Sequence, residues 1–94
     1  MRLLSQSDYR PGTPEVVAYT DTAGNGTALG SGVKAVDVVC TTAAYIAIGK
    51  AAVATSSFIP VEAAKHYRYL VAEGDRVSIL RQSQSGNAHV VPLY

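Results

Sequence analysis

Apolar and polar positions alternate with a period of two along most of this chain. The clearest stretch is Val33 to Gly49, where Val36, Val38 and Cys40 share one face and Ala35, Asp37 and Val39 the other. After Thr41-Thr42-Ala43 the alternation resumes, with Ala44, Ile46 and Ile48 set against Tyr45, Ala47 and Gly49. Period two in β-branched residues predicts half-buried strands; on a helix the same valines would scatter around the wheel. The pattern predicts that the two runs form the central hairpin of an all-β domain.

The same reading places further strands on either side. Glu15 to Thr20 puts Val17 and Tyr19 on one face, with Val16 and Ala18 on the other. Asp21 to Gly32 carries four glycines, and Asn25-Gly26 predicts a tight turn, since both residue types accept positive φ. Lys50 to Ser57 is a small-residue connection, and Phe58-Ile59 starts a short strand that Pro60 closes or confines to an edge. Val61 to Lys65 favours helix locally but is too short to sustain one. Tyr67, Tyr69 and Val71 alternate with Arg68 and Leu70, and Ala72 to Asp75 turns the chain. Val77 and Ile79 point inward on the next strand, Ser83 to Asn87 turns again, and Ala88 to Leu93 is the last strand. About seven short strands result. The expected architecture is a small antiparallel β-sandwich, jelly-roll or immunoglobulin-like, over residues 15–94. Residues 1–14 hold Pro11, Gly12 and Pro14 without periodicity and read as an extended N-terminal arm.

Composition narrows the function classes. Ninety-four residues make one domain, and its 48% apolar content is largely Ala and Val, with one Phe and no Trp. Small side chains suit a thin core between two sheets, which a partner subunit can supplement. A net charge of +1 and no run of adjacent Lys or Arg argue against nucleic acid or an anionic membrane as partner. Leu3-Leu4 is too short for a signal peptide, and nothing approaches the ~18 apolar residues of a span. Cys40 is the only cysteine and lies in an apolar strand, so it is expected buried, in a protein made in a reducing cytoplasm.

Candidate chemistry is sparse. His66 and His89 have no metal-ligand spacing, and the Gly-x-Gly pairs lack both a following helix and a Gly-Lys-Ser/Thr ending. Asp37 has no neighbouring base or acid in sequence and reads as a solvent-face or paired carboxylate. No serine sits in a Gly-x-Ser-x-Gly elbow. The expectation is a non-enzyme with neither cofactor nor metal. Its contact residues are Leu3, Leu4, Tyr9 and Arg10 on the arm, and Tyr45, Tyr67 and Tyr69 on strands.

Thr42-Ala43-Ala44-Tyr45-Ile46-Ala47-Ile48-Gly49, the Ala/Thr-rich segment 52–57 and the Phe58-Ile59-Pro60 bend give the chain a resemblance to a family of small structural proteins of tailed bacteriophages and prophages. The Tyr67 to Asp75 strand and turn, Val77-Ser78-Ile79 and the Ser/Gly-rich turn 83–87 complete it, so that it covers about residues 33–94. It implies a β-sandwich virion component, foremost a capsid decoration or cement protein. Such a protein binds the outer face of the major capsid protein shell, together with copies of itself as a homo-oligomer. A small tail, neck or fibre subunit is the alternative, and a carbohydrate-binding host-recognition module the second alternative.

Overall fold

The computed structural model describes residues 10–94, so Leu3, Leu4 and Tyr9 lie outside the described residues. Eight strands follow one another: β1 Glu15–Tyr19, β2 Gly24–Asn25, β3 Ala35–Cys40, β4 Ala44–Gly49, β5 Ile59–Val61, β6 His66–Leu70, β7 Arg76–Arg81 and β8 Gly86–Leu93. They form two four-stranded antiparallel sheets, ordered β1-β8-β3-β6 and β2-β7-β4-β5. Strands one and eight, two and seven, three and six, and four and five pair, so a two-ply ribbon is rolled into a sandwich. That is the jelly-roll order.

This topology corrects the expected central hairpin. β3 pairs with β6 and β8, and β4 with β5 and β7, so the two runs lie in opposite sheets. Thr41-Thr42-Ala43 carries the chain from one layer to the other. Only β4 and β5 are both consecutive and paired. The alternation itself holds: Val36, Val38, Cys40, Ala44 and Ile46 are all buried, and Ile48 is half-buried. They meet Val17, Tyr19, Val61, Val77, Ile79, Ala88 and Val90 in one core between the sheets. Each buried Val or Ile contributes roughly 1.5–3 kcal/mol, and in so thin a core no single residue dominates.

Asn25-Gly26 makes no tight turn. Gly24 and Asn25 pair with Ile79 and Ser78, and the Gly26 N–H donates to the Val77 carbonyl at 2.9 Å. The glycines answer to close approach instead. A Cβ on Gly24 would stand 1.9 Å from the Ala18 carbonyl oxygen, and one on Gly26 2.8 Å from the Glu15 carboxylate. Positive φ belongs to Gly32 and Gly74, the latter in the expected 72–75 turn. Pro60 lies within β5 rather than after it, which the ladder tolerates because β5 is an edge strand. Ser83 to Asn87 is shorter as a turn than expected, since Gly86 and Asn87 already belong to β8.

The 50–57 connection folds back over the outside of its own sheet. Ala54 is buried, and its N–H donates to Ser78 Oγ at 2.9 Å, while Ser78 donates to Asn25 Oδ1 at 2.6 Å. Ser78 and its cross-strand neighbour Ala47 are thereby covered, although both have outward parity. At the other end, Arg10 and Tyr94 exchange backbone hydrogen bonds of 2.9 and 2.8 Å, and the Gly12 N–H donates to the Pro92 carbonyl at 2.8 Å. Glu15 faces Val90, so one extra residue is accommodated at Thr13-Pro14, a bulge that prolongs the β1 edge along β8.

Candidate functional site

Three surfaces hold the residues with potential for recognition. The first is the outer face of the β2-β7-β4-β5 sheet. Tyr45 lies opposite Leu80 on one side and Pro60 on the other, giving an apolar row that runs out to the sheet edge. Tyr45 and Leu80 are half-buried and Pro60 is exposed. Phe58 directly precedes β5 and is 47% exposed; Val53 in the folded-back connection is 55% exposed. A monomer gains nothing from holding this row against water.

The second surface belongs to β6. Tyr67 and Tyr69 share the inward face with Val38 and Val36, pack against the core, and stay half-buried because β6 is the last strand of its sheet. The Tyr67 hydroxyl accepts from the Glu62 N–H at 3.0 Å. Burial raises the Tyr69 phenol above its ordinary range, with nearby Tyr67 and Cys40 adding to the effect. On the outward face of the same sheet His66 Nδ1 lies 3.1 Å from Asp37 Oδ2. The fold therefore supplies Asp37 with the partner that sequence neighbours lack. The pair's neighbours on the sheet, Val39, Arg68, His89 and Val91, carry neither hydroxyl nor thiol. Both histidines are exposed.

The third surface is a groove of about 170 Å³ beside the start of β1, lined by Thr13, Glu15, Thr27, Leu29, Val90 and Tyr94 among others. Glu15 shares the inward parity of Val17 and Tyr19, so its carboxylate stands where the core ends. The Thr27 N–H reaches both carboxylate oxygens, at 3.1 and 3.3 Å, and the Thr27 hydroxyl donates to Oε2. The Tyr94 ring lies over Gly12, where a Cβ would come within 2.7 Å of it.

The expected contact residues are therefore dispersed. Tyr67 and Tyr69 stand together, Tyr45 is on the opposite sheet's outer face, and Arg10 is exposed beside Tyr94 at the end of β8. Phe58, Pro60 and the Glu15 groove did not emerge as sites from the sequence. Parity alone could have signalled Glu15, a carboxylate in step with Val17 and Tyr19. Among the described residues no three of His, Cys, Asp and Glu are grouped to hold a metal ion, and no helix is long and apolar enough to cross a membrane. Comparison with protein-family models, curated proteins and solved structures finds no match to this chain.

Proposed function

We propose that this chain is a non-enzymatic structural component of a tailed-bacteriophage particle, a capsid decoration or cement protein seated on the outside of the major capsid protein shell. The observation that carries the reading is the apolar row Leu80–Tyr45–Pro60 on the outer face of the sheet, with exposed Phe58 two residues before Pro60 in the chain. It lies within the segment that resembles the phage family, on a rigid sheet face, with no catalytic constellation nearby. An apolar row centred on an aromatic residue buries well against a neighbour. The jelly roll agrees with this as a fold shared by capsid and lectin domains, and is an argument by analogy only. The protein is made in the host cytoplasm and ends in the virion.

The test is co-sedimentation of the purified chain with undecorated heads of the phage that encodes it, and separately with tails. Phe58→Asp is expected to weaken head binding by at least about tenfold, since one desolvated aromatic anchor is worth ~2 kcal/mol or more. Leu70→Asp, at an 80% exposed position on the other sheet, is expected to leave binding unchanged. Binding to tails and not to heads would replace this reading by the tail-subunit one. Binding to neither would remove it.

A further inference from the structure

We propose that the groove beside β1 takes the side chain of one lysine from a protein partner. The proposal deepens the docking reading above and rests on it for the partner's existence. The chemistry comes from the groove alone. Among the described residues that line it, Glu15 carries the only charged side chain, and its carboxylate accepts from the uncharged Thr27. Leu29, Val90 and Pro92 supply an apolar wall along which a four-carbon stem can lie, and Tyr94 adds an aromatic one. A cavity of about 150 Å³ admits benzene, so about 170 Å³ is room enough for a butylammonium group.

The hydrogen bonds select lysine over arginine. A guanidinium binds a carboxylate best through two parallel bonds along its open edge. Here that edge is taken, since the Thr27 N–H reaches both oxygens and the Thr27 hydroxyl donates to one of them. What remains is one lone-pair direction on Glu15 and the acceptor lone pairs of the hydroxyls of Thr13 and Thr27, two residues that also line the groove. Three separate oxygen acceptors suit the three donors of an ammonium.

The test uses the isolated full-length chain, labelled with ¹⁵N, and Nα-acetyl-lysine methylamide as probe. Saturable amide shifts are expected at residues 26–30 and 90–94, with Kd in the millimolar range. The uncharged norleucine analogue is expected to give none, and the arginine analogue to bind at least about threefold more weakly. Glu15→Gln is expected to weaken the lysine probe about tenfold with a dispersed spectrum retained. Should that variant misfold, Thr13→Val keeps the Glu15–Thr27 contact and is expected to cost about threefold. Equal shifts with norleucine, equal affinity for the arginine probe, or undiminished binding in the variants would overturn the proposal. Failure here with retained head binding would leave the apolar-row reading standing, and the reverse result would remove that reading while keeping the groove.

Discussion

The two ends of β1 treat an inward polar group in opposite ways. At its C-terminal end Tyr19 is 1% exposed and its hydroxyl is fastened to the crossover between the sheets. It meets the Thr42 carbonyl at 2.8 Å, Thr42 Oγ1 at 2.9 Å and the Thr42 N–H at 3.1 Å. Thr42 Oγ1 reaches on to the Gln84 carbonyl, and Thr41 Oγ1 accepts from the Asn87 N–H. Gly86 is bare because a Cβ there would meet both threonine hydroxyls at 2.6 Å. At the N-terminal end Glu15 has a single stapling partner, Thr27, and an open groove in front of it. A polar group with every bonding direction used closes a sandwich end; one with a charge and a spare lone pair leaves it receptive.

Substitutions at the closed end have the largest expected effects. Tyr19→Ala removes a buried ring as well as the fastening of the crossover, and should cost about 3–5 kcal/mol, read as a loss of unfolding midpoint in urea. Tyr19→Phe keeps the ring but strands the Thr42 N–H and carbonyl, for about 1–3 kcal/mol. A Tyr19→Phe variant as stable as the parent would show that water replaces the hydroxyl and that this end is not closed by it. At the open end Thr27→Val should cost no more than about 1 kcal/mol, because the contact it removes is exposed. A larger loss there would make the two ends equivalent.

A smaller effect is in pH. Burial raises the Cys40 thiol above its ordinary 9.0, partly opposed by a hydrogen bond with Tyr19, and Tyr69 is raised above 10.0 chiefly by burial. In both cases the unfolded chain releases its proton first as pH climbs. Their contribution to stability is whole below the ordinary values and declines as pH rises through about 9 and beyond. The unfolding midpoint of the parent should therefore fall more steeply between about pH 8 and pH 10.5 than that of Cys40→Ala. Parallel slopes would mean that the thiol does not feel its burial.

What was legible in the sequence is the parity of the residues. Val36, Val38, Cys40, Val77 and Ile79 were assigned inward from alternation, and all are buried. Alternation says which face of a strand is covered but nothing about which strand lies beside it. Thr41 to Ala43 has the length of a hairpin loop and equally spans two layers, and the element that decides between them is Tyr19, more than twenty residues away. Glycine is ambiguous in the same way: Gly26 after Asn25 suggests positive φ, whereas the contacts of Gly24 with Ala18 and of Gly26 with Glu15 require the absence of a side chain. In the sequence Phe58 starts a short strand and Pro60 closes it or marks an edge, and only the β4–β5 and β4–β7 pairings set Pro60 and Leu80 on either side of Tyr45.

The rolled ribbon sets an order in which the chain can assemble. β4 and β5 close the shortest loop, and then β3 with β6, β2 with β7 and β1 with β8 close successively longer ones. Each pairing is less costly in chain entropy once the one inside it has formed. Folding should start at the β4–β5 hairpin and finish by laying β1 against β8, so Ile46→Val should mainly slow folding and Val17→Ala mainly speed unfolding. Stopped-flow rates with the opposite partition would reverse the order. The last strand pair to join is the one that builds the Glu15 groove, so the receptive end of the molecule matures only when the whole chain is in place.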